Sequence, residues 1–133
     1  ETYKNFENNL NKYFPKTKNE VKNNILVDCL TNLITNIIFE KEYIDWENFD
    51  KKSYIQDLEK LDKIVKNSVN ELINVSKNFE NAVIVSNELG MGLVPNYPLG
   101  RYFREIAGKM NQVVAEKADE VYFVVSGIPM KIK

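Results

Sequence analysis

The side chains with the most chemical potential in this chain fall into three short groups. In the first, Asp28 closes the apolar run Ile25-Leu26-Val27 and is followed by Cys29-Leu30-Thr31. A carboxylate at the end of a buried strand, with a hydroxyl close behind it, can hold magnesium for phosphoryl transfer. A solvated strand-end Asp has the same appearance, so the pattern alone leaves both readings open. The second group is Ser86-Asn87-Glu88-Leu89-Gly90-Met91-Gly92-Leu93-Val94-Pro95, directly after the apolar stretch Ala82 to Val85. Glu88 could orient a water, a hydroxyl or a metal-bound water, with Asn87 as its hydrogen-bonding partner. A loop-capping Asn beside a solvated Glu would look alike. Gly90 and Gly92 permit close backbone approach. In the third group, Arg101 and Arg104 lie on one side of a helix start, where they could clamp a phosphate or carboxylate. They could equally pair with Glu105 or with a neighbouring subunit. Asn111 and Gln112, further along, could bind a ligand amide or reach across an interface. Tyr102, Phe103 and Ile106 read as core.

What the chain lacks narrows the chemistry further. Its 133 residues include no histidine and one cysteine. Neither a His general base, nor a Ser/His/Asp triad, nor a conventional zinc site can be built from such a set. Cys29 reads as a small buried residue rather than a nucleophile, and a lone cysteine suits a reducing cytoplasm. Gly90 and Gly92 are too few and wrongly spaced for a phosphate-cradling Gly-x-x-x-x-Gly-Lys-Ser/Thr loop, and that motif occurs nowhere in the chain. Lysine and arginine total 18 against 19 acidic residues, for a net charge of -1, which argues against a general nucleic-acid surface. No apolar run approaches the roughly 20 residues of a membrane span, and the polar amino terminus is unlike a signal peptide.

These groups need a scaffold, and the hydrophobic periodicity suggests one. Tyr3, Phe6, Leu10 and Tyr13-Phe14 are spaced as a short amphipathic helix ending near Pro15, followed by a loop over residues 16–24. Ile25 to Val27 reads as a central strand covered on both faces. Thr31 or Asn32 would cap the next helix, with Leu33, Ile34, Ile37 and Ile38 on its inner face and its end near Glu40. Lys41 to Lys52, with the single tryptophan Trp46, reads as a connecting loop. Ser53 opens the longest helix, residues 53–79, whose stripe runs Ile55, Leu58, Leu61, Ile64, Val65, Val69, Leu72 and Ile73. The second strand spans Ala82 to Ser86, a helix runs from Leu99 to Lys117, and a third strand covers Glu120 to Val125. Ser126-Gly127 is spaced as a two-residue turn into an edge strand, where Ile128, Met130 and Ile132 alternate with polar positions and leave one face wet. The expected architecture is α/β, a mostly parallel sheet closing on an antiparallel hairpin. Polar groups gathered past the carboxyl ends of such strands sit where open α/β sheets bind ligands.

Several of these segments together resemble the adenosylcobinamide kinase/adenosylcobinamide-phosphate guanylyltransferase family. Asp28-Cys29-Leu30-Thr31 with Thr35-Asn36-Ile37-Ile38 is similar to its strand-end carboxylate motif and following helix. The Ser86 to Pro95 segment is similar to its most diagnostic stretch. Arg101-Tyr102-Phe103-Arg104-Glu105-Ile106-Ala107-Gly108 with Asn111-Gln112, and Val124-Val125-Ser126-Gly127-Ile128-Pro129-Met130-Lys131-Ile132-Lys133, resemble the next helix and the closing hairpin. The resemblance covers most of residues 25–133 apart from the long helix. Glu105 departs mildly from the family pattern, standing where an Asp is common.

The resemblance implies a RecA-like P-loop fold, a homotrimer, and two activities in cobalamin assembly. These are phosphorylation of adenosylcobinamide by ATP or GTP with Mg2+, then GMP transfer from GTP through a GMP-histidine intermediate. It implies nucleotide contacts at Glu1 and Asp28, Asp28 also serving magnesium, and it leaves Glu88 as the candidate catalytic acid. The family's phosphate loop and guanylylated histidine have no counterpart in these residues. Residues 1–133 are accordingly expected to form one truncated domain, the carboxyl-terminal part of such an enzyme with its first strands missing, and to be inactive alone. The competing expectation is a non-catalytic oligomerisation or corrinoid-binding module derived from the same family. A different P-loop family sharing only the strand-end acid is the third.

Overall fold

A computed structural model describes residues 23–40 and 44–133. The helix expected over residues 1–14, and Glu1 with it, lie outside the described residues. The elements follow in the order β1 (Asn24–Asp28), α1 (Leu30–Glu40), α2 (Ile55–Ser76), β2 (Asn81–Val85), α3 (Pro98–Lys117), β3 (Tyr122–Val125) and β4 (Ile128–Lys131). β1 and β2 pair in parallel, with Leu26 opposite Val83 and Asp28 opposite Val85. That register is what brings the two strand ends, and the polar residues beyond them, side by side.

The core lies between three helices and one face of this strand pair. α1 contributes Leu33, Ile34, Ile37 and Ile38, the helical stripe read from the sequence, together with Leu30 from its first turn. α2 adds Leu61, Val65, Val69, Leu72 and Ile73, and α3 adds Ile106, Ala107 and Met110. Val27 and Ile84, register partners on the strands, pack against this cluster from the sheet side. Burying large aliphatic side chains here contributes about 1.5–3 kcal/mol each before entropy is counted.

Among the described residues, the strands are not covered on both faces as their apolar composition suggests. Side chains alternate along a strand, so Leu26, Val83 and Val85 point away from the helices and remain 67%, 55% and 39% exposed. All three helices pack on the opposite face. The single mostly parallel sheet is also corrected: the described strands form two separate two-stranded sheets, β1-β2 and β3-β4. The closing hairpin is fastened to α3 instead. The Lys133 ammonium donates to the carbonyls of Ala115, Glu116 and Ala118 at 3.0, 3.0 and 2.7 Å, satisfying the unpaired end of that helix. β4 is consequently exposed on both faces rather than one. Its turn is as expected, with Ser126 at φ 51° and Gly127 at φ 78°, the left-handed pair that a two-residue hairpin requires.

Boundaries shift for local reasons. α1 starts at Leu30, immediately after Cys29, whose carbonyl accepts the Leu33 N–H at 3.2 Å. Thr31 is therefore buried inside the first turn and does not cap it. The Asp50 carboxylate binds the Ser53 N–H and hydroxyl, holding a turn there, and α2 begins at Ile55 instead of Ser53. The described part of the Trp46 segment is more than a connection. Trp46 stacks on Phe49 with ring centroids 5.3 Å apart and meets Tyr102 of α3 at the same distance, while Phe49 stacks on Tyr54.

Candidate functional site at the strand ends

β2 ends at Val85 because Ser86 turns out of the ladder to serve α3. Its hydroxyl donates to Asn111 Oδ1 at 2.6 Å, and Asn111 Nδ2 donates back to the Asn87 carbonyl at 3.1 Å. Asn87 Nδ2 then donates to the Thr31 hydroxyl at 2.8 Å, and that hydroxyl lies 2.9 Å from Cys29 Sγ. One continuous polar chain thus ties the end of β1, the end of β2 and the middle of α3. Asn87 is an orienting residue, but the group it orients is Thr31 rather than Glu88. Asn111 has both ends of its amide committed within the fold, so it braces the site. Gln112, one residue on, is exposed and takes no part in these bonds.

Asp28 lies on the open face of β1, exposed at the strand terminus. Glu88 is exposed too, and its Oε1 accepts the Gly90 N–H at 2.6 Å, folding the loop back on itself. Arg101 and Arg104 hold that loop from the helix side. Arg101 Nη1 donates to the carbonyls of Pro95 and Asn96 at 3.2 and 2.8 Å, and Arg104 Nη2 donates to the Gly90 carbonyl. Neither arginine pairs with Glu105, which Lys109 binds at 2.7 Å, holding the Glu105 carboxyl below its usual range.

Between loop and helix lies an open cleft of about 320 Å³, lined by Glu88, Leu89, Gly92, Leu93, Pro95, Tyr97, Gly100, Phe103 and Arg104. Gly100 makes it possible: a Cβ there would fall 2.6 Å from the Tyr97 ring and 2.7 Å from Pro95 Cβ. The sequence reading did not single out Ser86, Tyr97 or Gly100. Gly100 just after Pro98 at a helix start was the one available signal of close packing.

Magnesium was expected at Asp28. Among the described residues no three His, Cys, Asp or Glu side chains converge. A single exposed carboxylate still fits magnesium, which commonly takes one or two carboxylates and completes its shell with substrate phosphates and water.

The sequence profile of the family described as cobinamide kinase/cobinamide phosphate guanyltransferase matches residues 1–132. This chain belongs to that family. The chain is 40% identical over 110 residues to the bifunctional adenosylcobalamin biosynthesis protein CobU of Salmonella typhimurium and 38% identical over 110 residues to that of Escherichia coli. It is 31% identical over 111 residues to the bifunctional adenosylcobalamin biosynthesis protein CobP of Pseudomonas aeruginosa. Each match takes in 82% of this chain but only 58%, 58% and 53% of the respective relatives. The chain therefore spans little more than half the length of those relatives.

Proposed function

We propose that this chain supplies one wall of a nucleotide site in a cobinamide kinase/cobinamide-phosphate guanylyltransferase. The observation that carries the reading is the in-register parallel pairing of β1 and β2, which sets Asp28 and the Ser86–Glu88 segment at one end of one sheet. Family membership supports a role in cobalamin biosynthesis, with GTP or ATP as nucleotide and adenosylcobinamide as acceptor. A P-loop fold, in which a parallel sheet carries helices on both faces, would account for the apolar face that Leu26, Val83 and Val85 expose among the described residues.

The proposed division of labour rests on the pairing of the two strand ends. Asp28 would hold magnesium, which neutralises charge on the phosphates during transfer. Glu88 stands at the loop beside it, where a carboxylate can orient the acceptor hydroxyl and take its proton. Thr31, Asn87, Ser86 and Asn111 keep the two strand ends in register. Arg101 and Arg104 fix the loop. Glu1 is a further nucleotide contact in this proposal. The working unit is a cytoplasmic homotrimer, and residues 1–133 form a single α/β domain within it.

Alone, this polypeptide should not turn over. Phosphoryl transfer depends on positioning by phosphate-binding amides, a lysine and magnesium, and these 133 residues contain neither the phosphate loop nor any histidine to carry GMP. Purified chain incubated with labelled GTP, Mg2+ and adenosylcobinamide should release no product. Measurable kinase or guanylyltransferase turnover would refute this. A second reading, a non-catalytic assembly module, draws support from the exposed Leu26, Val83 and Val85.

A further inference from the structure

The loop after β2 is tied down along its backbone and yet turns its apolar side chains outward. Its base is fixed twice, by Leu89 packing against the core and by Glu88 Oε1 accepting the Gly90 N–H at 2.6 Å. The Gly92 N–H closes a turn on the Leu89 carbonyl at 3.3 Å. Arg104 and Arg101 then donate to the carbonyls of Gly90, Pro95 and Asn96. On this braced backbone Met91, Leu93 and Val94 are 78%, 96% and 70% exposed, and Tyr97 is more than half exposed. Single exposed aliphatic residues are ordinary, but a run of them on a fixed loop is a surface held out for contact. Glu88 is the only charged residue between Val85 and Pro98.

We propose that Met91, Leu93 and Val94 form a platform for the apolar body of the acceptor, seated so that its hydroxyl arm comes to Glu88. A nucleoside triphosphate is the wrong occupant: residues 86–97 hold no lysine or arginine, and their one charge repels phosphate. Asp28, on the neighbouring strand end, remains the side of the site that serves phosphate and metal. A macrocycle bordered by methyl groups and neutral amide arms is the matching chemistry, because it buries apolar edge on the platform and brings no peripheral charge to Glu88. A loop already braced loses little conformational freedom on binding, so burial of Leu93 and Met91 is expressed as affinity. These side chains therefore select the acceptor, while the proton stays the business of Glu88. Taking that acceptor to be a cobinamide rests on the function proposed above.

The test follows the methyl resonances of Met91, Leu93 and Val94 in methyl-labelled chain titrated with dicyanocobinamide and, separately, with GTP and Mg2+. Dicyanocobinamide should shift them, and GTP should leave them in place while it acts on residues 28–31. Leu93→Ser should weaken dicyanocobinamide about ten-fold, the effect of losing one buried aliphatic side chain, and Leu93→Met should restore it. The urea midpoint of Leu93→Ser should match the wild type, because a side chain this exposed supports no core, so the loss is one of binding and not of folding. Dicyanocobinamide affinity indifferent to Leu93→Ser, or loop methyls that answer to GTP instead, would overturn the platform. Loop methyls that shift with protein concentration and not with ligand would overturn it too, and mark the loop as a contact between copies of this chain. A silent loop with GTP still shifting residues 28–31 would overturn the platform and leave the nucleotide wall standing. Loop shifts with dicyanocobinamide and no GTP response at residues 28–31 would uphold the platform and contradict that wall.

Discussion

Asn111 is where the polar chemistry of the site is most concentrated. Both ends of its amide are used, one by the Ser86 hydroxyl and one by the Asn87 carbonyl, and Asn87 in turn reaches Thr31. Truncating it leaves the partly buried Ser86 hydroxyl and the exposed Asn87 carbonyl without their partner, so Asn111→Ala should cost about 1 kcal/mol, read as a lower urea midpoint with an unchanged slope. An unaltered midpoint would show that solvent already satisfies those groups. The sequence pointed to Asn111 as a residue with a purpose but assigned it to a ligand or an interface. Its partners sit 24 and 25 positions away in sequence, so no local pattern could name them. The loop contacts of Arg101 and Arg104 were hidden for the same reason: their acceptors are the carbonyls of Pro95, Asn96 and Gly90, and a backbone acceptor leaves no mark on residue types.

At the scale of elements, hydrophobic periodicity was a good guide wherever the burial is local to one helix. The α1 stripe of Leu33, Ile34, Ile37 and Ile38 is fully legible, as is the Ser126-Gly127 turn. Strand environment was not legible. Ile25-Leu26-Val27 has the composition of a strand with two covered faces, yet whether a second layer is present depends on other segments. The hairpin shows an element held by charge. The Lys131 ammonium, and then the Tyr122 hydroxyl, donate to Glu120 and lower its carboxyl below the usual 4.5. A depressed folded value stabilises the hairpin fully above the unfolded pKa and loses that contribution as pH falls through the folded one. Acidification from pH 5 to 3 should therefore loosen the amide protection of Tyr122 and Lys131 in the wild type. Glu120→Gln should abolish that pH dependence, and a wild type indifferent to acid would contradict the assignment.

For the whole molecule, the consequence of a bare strand pair is association. Leu26, Val83 and Val85 present apolar side chains on one face, and among the described residues no third strand pairs with either edge of β1-β2. Sedimentation of the purified chain should show concentration-dependent self-association that Val83→Lys diminishes; a well-behaved monomer at every concentration would count against it. Family membership and the paired strand ends support one wall of a nucleotide site, and that wall should retain weak affinity even without the rest. The most direct measurement is the amide spectrum of 15N-labelled chain titrated with GTP and Mg2+. The account predicts shifts concentrated at residues 28–31 and 86–90 that Asp28→Asn reduces. Shifts confined to other segments, or none at these two strand ends, would contradict it.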